Sequence, residues 1–142
     1  MNALAPRELR WNCTDKGCFR NLCPRLGVFD TCFPRRIGMS DIDGVVEING
    51  RFLFLEWKSE GGFLGTGQRI MFERMTALSP RMTAIVVCGE PVSMAVRSIQ
   101  VFRNGKGGAV EPASLAELQR RITAWAAKAW AARFKTHTEG EL

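Results

Sequence analysis

Asn49-Gly50 lies between two runs rich in β-branched and aromatic residues, Val45 to Ile48 and Arg51 to Trp57. Asn and Gly best accept positive φ at both centres of a type I′ turn, whose twist matches that of the strands it joins. The stretch therefore predicts a β-hairpin, and a two-residue loop fixes its register. Ile48 faces Arg51, and every cross-strand pair has residue numbers that sum to 99. Continued outward, the register sets Asp43 opposite Glu56 and Asp41 opposite Lys58. Side chains alternate between faces along a strand, so these four project from one face, while Leu55 and Trp57 point to the other, into a core.

Two carboxylates opposed across a hairpin have Cβ atoms roughly 4.5 to 5.5 Å apart and repel unless a proton or a cation comes between them. The pair is therefore expected to cost folding free energy in metal-free protein near neutral pH. A hard divalent cation relieves it, since Mg²⁺ takes one or two protein carboxylates and keeps waters for phosphate oxygens. A neighbouring ammonium, here Lys58, can steer or deprotonate an attacking water. The alternative reading of the same residues is a solvated hairpin surface.

From Gly38 to Leu78 the chain resembles the PD-(D/E)XK nuclease superfamily. That signature is an acid at the start of one strand followed by E-x-K or D-x-K on the next, and here Asp43 precedes Glu56-Trp57-Lys58 by 13 positions. The spacing is similar to that of archaeal Holliday-junction resolvases and small phage nucleases. The resemblance implies a restriction-endonuclease-like α/β fold, a mixed sheet flanked by helices with hairpin, helix and strand in that order. It implies Mg²⁺ or Mn²⁺ held by Asp43, Glu56 and the backbone carbonyl of Trp57, and hydrolysis of phosphodiester bonds in DNA, branched DNA included. Lys58 would activate the water. Gln68 matches the place of a Gln that assists the site in several branches. The chain departs from the pattern in having Ile42, not Pro, before the acid, and Asp41 and Glu8 are further candidate acids.

Composition fits a nucleic-acid partner. Twenty Lys and Arg against 14 Asp and Glu give a net charge of +6, which favours a polyanion. Arg20, Arg25, Arg35 and Arg36 lead into the hairpin, and Arg35, Arg36 and Arg69 are the expected contacts to the phosphate backbone. At 142 residues, 46% hydrophobic, the chain suits one domain. Within it, residues 1–34 form a Cys-rich segment, 38–90 the catalytic core and 114–135 a C-terminal helix. The first residues lack the apolar segment of a signal peptide, and no apolar run approaches a bilayer span, so the expectation is a cytoplasmic protein without a membrane partner.

In that compartment cysteines are thiols or metal ligands. Cys13, Cys18, Cys23 and Cys32 follow C-x4-C-x4-C-x8-C, looser than the C-x2-C pairs of strong zinc motifs. They are candidate ligands of a structural Zn²⁺, with small buried hydrophobes as the alternative. His137, the single histidine, falls in the C-terminal tail, which argues against a Ser-His or Cys-His triad.

Further along, Ser59 to Gly67 reads as a Gly-rich loop bordering the site, with Thr66 as a helix cap. Ile70, Met71, Met75 and Leu78 recur at helical spacing. Met82 to Cys88 suits a buried strand and Val96 to Arg103 another, followed by a turn at Asn104, where Arg103 and Lys106 could reach substrate. Ser114 with Glu117 forms a capping box for a helix to Phe134 whose apolar stripe is Leu115, Leu118, Ile122, Trp125 and Ala129. Trp130 and Phe134 lie off that stripe and would serve a homodimer contact or wrap onto the sheet. Rival functions are a nucleic-acid-binding protein that does not cleave and a small zinc-binding interaction or inhibitor protein. Protein purified without chelator is expected to carry one zinc per chain by elemental analysis if the four thiols are ligands, and well under one removes that site.

Overall fold

The computed structural model describes residues 25–132, which divide into two compact units between Ser40 and Asp41. The first contains a 3-10 helix, Leu26–Cys32, with no buried residue. The second is a mixed α/β layer structure. Its six strands are β1 (Gly44–Ile48), β2 (Arg51–Ser59), β3 (Met82–Glu90), β4 (Ala95–Arg103), β5 (Lys106–Gly107) and β6 (Glu111–Pro112). Its helices are α1 (Thr66–Leu78) and α2 (Leu115–Ala131).

The first four strands lie side by side in chain order, and β5 and β6 both pair with β4. All pairs are antiparallel except β2 with β3, whose parallel connection is the crossover through α1. The Asn49-Gly50 turn has φ of 49° and 75°, and the hairpin register is the expected one, from Ile48↔Arg51 to Gly44↔Leu55. Asn104-Gly105 repeats the device between β4 and β5, with φ of 49° and 81°.

Strict alternation along β2 feeds two cores. Leu53, Leu55 and Trp57 pack with Ile85, Val87 and Ile99 beneath α2, where Leu118, Ile122 and Trp125 complete the layer. Phe54 packs on the other face with Ala84, Val86 and Phe102 beneath α1, which contributes Phe72, Met71 and Met75. The α2 stripe is as expected, and Ser114 Oγ accepts the Glu117 N–H at 3.2 Å. In α1 the structure differs from the sequence reading. Phe72 is fully buried with Thr76 one turn on, while Leu78 is 79% exposed. Thr76 had no place in an apolar pattern, yet its hydroxyl donates to the Phe72 carbonyl at 2.8 Å and accepts the Gly105 N–H at 3.2 Å. Burial therefore leaves it satisfied. Thr66 is the first helical residue rather than the cap, a position taken by Gly65.

Two contacts fix how β2 sits. The Trp57 indole donates to the Gly89 carbonyl at 3.0 Å. Gly89 lies where the β3–β4 register shifts, and a Cβ there would meet the Ala95 carbonyl oxygen at 2.0 Å, so only glycine fits. At the other end, the Asn49 amide donates to the carbonyls of Ala129 and Trp130 at 3.2 and 3.1 Å. The turn residue thus satisfies carbonyls that the last turn of α2 leaves without intrahelical donors.

Asn49→Gly keeps the turn and removes those bonds, and is expected to lose about 1 kcal/mol. Asn49→Asp places a carboxylate against the negative end of the helix and should lose more, about 1 to 2 kcal/mol. Urea unfolding at an unchanged slope checks this, and a midpoint for Asn49→Asp at or above that of Asn49→Gly would show that the amide does not hold the helix.

Candidate functional site

The site forms where β1 ends beside β2. The hairpin ladder closes at Gly44↔Leu55, one pair short of the expected Asp43–Glu56 pair, and Asp43 stands in a bend. In a two-residue hairpin the Ile48–Arg51 pair is hydrogen-bonded, and bonded pairs recur every second residue, so a continued ladder would give the Trp57 N–H to the carbonyl of Ile42. Instead the Asp43 carboxylate takes it, with Oδ2 at 2.6 Å. The side chain replaces the strand. Asp41 lies outside the ladder and is exposed, so the expected Asp41–Lys58 pair does not form.

Glu56 is 5% exposed, on the face covered by α1. Two donors converge on its Oε1: the Lys58 ammonium at 2.8 Å and the Gln68 amide at 2.9 Å. Lys58 reaches it because residues two apart on a strand share a face, and Gln68 because it lies in the first turn of α1. Charge-assisted bonds of this kind make a buried carboxylate tolerable. The expected uncompensated repulsion between Asp43 and Glu56 is therefore not what the site contains. Glu56 is answered by Lys58, and Asp43 by a backbone amide.

All four catalytic candidates, Asp43, Glu56, Lys58 and Gln68, are thus brought to one end of β2. Trp57 joins them through its backbone. N–H and C=O of a strand residue point the same way, so the Trp57 carbonyl leaves the edge on which its N–H meets Asp43, beyond the last pair of β1. Among the described residues no three side chains of His, Cys, Asp or Glu come together. The donor set is two carboxylates and a carbonyl. Glu56 Oε2 takes no hydrogen bond from the described residues, and Asp43 is exposed with one oxygen engaged. These are hard oxygen donors with free lone pairs, a set that fits Mg²⁺ or Mn²⁺.

A concavity of about 420 Å³ is lined by Lys58, Gly62, Phe63, Arg69, Cys88 and Gln100, among others. Arg69 is therefore near the site, although Glu73 holds its guanidinium at 2.9 Å. Phe63 is 90% exposed, and its one signal in the sequence is an aromatic residue inside a Gly-rich loop. Arg35 and Arg36 are exposed and belong to the first unit. Arg103 pairs with Thr83, three rungs along the strands from the Val86–Gln100 rung that continues Glu56, so neither it nor its partner Lys106 borders these carboxylates. Of the candidate zinc ligands, Cys32 is an exposed free thiol, while Cys13, Cys18 and Cys23 lie outside the described residues, as do Glu8, Phe134 and His137. No helix among the described residues is long and apolar enough to cross a membrane.

Comparison with protein-family models, with curated proteins and with solved structures found no match.

Lys58→Met leaves the Glu56 carboxylate buried without its cation and is expected to destabilise by about 1 to 3 kcal/mol, below the full cost of breaking a buried pair because Lys58 is partly exposed. Glu56→Gln combined with Lys58→Met should recover part of that loss. A double mutant no more stable than Lys58→Met would show that the two charges are not coupled.

Proposed function

We propose that the protein is a metal-dependent nuclease with a restriction-endonuclease-like core, hydrolysing phosphodiester bonds in DNA, branched DNA included. The observation that carries this reading is the buried Glu56 carboxylate, on which Lys58 and Gln68 converge, beside an Asp43 held on the Trp57 N–H. A merely solvated acidic face would not bury a carboxylate under a helix and supply it with two donors.

Asp43, Glu56 and the Trp57 carbonyl would hold Mg²⁺ or Mn²⁺, which when bound supplies Lewis-acid polarisation of a phosphoryl oxygen. Lys58, held by Glu56 and lining the concavity, orients the attacking water and stabilises negative charge that develops on the phosphate. Gln68 holds Glu56 in the rotamer that leaves Oε2 open. Arg69 and the exposed Phe63 border the groove, the one able to contact a phosphate and the other to stack on a base. Arg35 and Arg36 supply further backbone contacts in this reading. Trp130, 77% exposed on α2, would be the contact of a homodimer.

The test is incubation with plasmid, linear duplex, single-stranded and branched DNA in Mg²⁺, Mn²⁺ or EDTA. Cleavage is expected with metal only. Glu56→Ala and Lys58→Ala should each lower it by about 10²-fold or more while leaving salt-sensitive binding, because affinity comes chiefly from cations and the counterions they release. Cleavage by Lys58→Ala near the parent rate would overturn the assignment. Binding by the parent without cleavage of any substrate would favour the non-catalytic rival.

A further inference from the structure

At the opposite end of the strands from Lys58, and on the opposite face of the sheet, a second concavity of about 340 Å³ is ringed by Arg51, Arg81, Arg103, Arg121 and Lys128. The sequence scatters these residues over two strands, a loop and a helix, and the fold gathers them. Arg51 opens β2 and Arg103 closes β4, Arg81 lies in the turn before β3, and Arg121 and Lys128 stand on α2. Arg121 has a carboxylate partner, Glu111, at 2.6 Å. The other four have none within 4.0 Å among the described residues, and no acid lines the concavity.

Like charges gathered about one hollow repel, and the positive potential they raise there favours an anion. The guanidinium fork matches phosphoryl oxygens in pairs. The wall is suited to more than a bare ion. Thr83 is 7% exposed and lines the hollow, and its hydroxyl has no protein partner among the described residues yet is not sealed from solvent. It is a nearly buried hydrogen-bonding group on the wall of the hollow. Trp125, Ala124 and Pro80 add an aromatic and apolar side to the same hollow, whose volume is at the lower end of small-molecule sites.

We propose that this hollow is a second phosphoryl-binding site, sized for one nucleotide unit, with the cations on the phosphate and Trp125 beside the base. Arg103 is on the rung of Leu53 and Thr83, three rungs from Glu56, which is about 10 Å along the strands and through the sheet. One phosphate cannot meet both sites. The hollow is therefore separate from the Glu56 site and does not rest on the nuclease reading. Its ligand is either a free nucleotide or a nucleotide within a strand, since both present the same chemistry.

The test measures binding in EDTA, so that metal plays no part, of two probes: a nucleoside triphosphate and a 5′-phosphorylated single-stranded 12-mer. Arg51→Gln/Arg103→Gln is expected to weaken the bound probe at least tenfold and to lower the slope of log affinity against log salt by about 1 to 2 for the oligonucleotide. Arg97→Gln/Arg120→Gln removes the same charge elsewhere and should stay within about threefold of the parent. Binding is read in EDTA, without cleavage, which keeps failure of the catalytic assignment distinct from failure of this one. Binding of the triphosphate that displaces the 12-mer identifies a free nucleotide as the source, and binding of the 12-mer alone identifies a strand. Should the first double variant not fold, Arg81→Gln/Lys128→Gln, at exposed positions, replaces it. Parent-like binding of both probes by the pocket variant, an equal loss in the Arg97→Gln/Arg120→Gln control, or no binding of either probe by the parent overturns the proposal.

Discussion

Everything in the second unit depends on the alternation of β2 between two filled faces. Odd residues Leu53, Leu55 and Trp57 enter the core under α2, and even residues Phe54 and Glu56 face α1. A slip of one residue would exchange the sets, driving Glu56 into an apolar layer without Gln68 and bringing Trp57 out of its bond to Gly89. The cost of an unpaired buried carboxylate alone is several kcal/mol, a large share of the net stability of a small domain. Register is thus specified from both sides, with the Asn49-Gly50 turn as its starting point.

The same constraint explains how a charge can be buried at all. Glu56 occupies what would otherwise be a core position, next to Phe54 on its strand and Val86 across the parallel pair. Lys58 can answer it because the strand places it two residues on, and Gln68 because the crossover returns α1 over this end of the sheet. The pair is specific rather than strongly stabilising, since two desolvated charges repay little more than their own burial. It is a local conflict with the hydrophobic pattern, resolved by two polar neighbours, and such conflicts are where functional sites are sought.

Much of this was legible in the chain. The turn dipeptide gave register, register gave the shared face of Glu56 and Lys58, and the capping Ser114 with its stripe gave α2. What escaped had physical reasons. Phe72 does not stand out in the apolar pattern because its buried neighbour one turn on is Thr76, whose hydroxyl is satisfied by the Phe72 carbonyl and the Gly105 N–H, pairings no periodicity displays. The cations around Thr83 are separated by up to 77 positions, from Arg51 to Lys128, so only the tertiary fold assembles them. The hairpin ladder is shorter than alternation implies, because alternation says which face a residue takes, not where backbone pairing stops.

That early stop is what makes the Asp43 end of the site chemically available. A full Asp43–Glu56 pair would have carried the ladder outward and delivered the Trp57 N–H and carbonyl into backbone bonds with β1. Because Asp43 turns aside and substitutes its carboxylate for the missing strand acceptor, the N–H is satisfied while the carbonyl leaves the same edge with no partner from β1. One side chain thus stands where the strand ends and satisfies an otherwise orphaned donor on the edge from which the Trp57 carbonyl also leaves. Replacing Asp43 with a residue of strand propensity but no acceptor, such as Val, would either leave the Trp57 N–H unpaired or let the ladder extend over the carbonyl. In both cases the loss falls on the oxygen donor set, because Glu56, Lys58 and Gln68 are held by β2 and α1 without any contribution from β1.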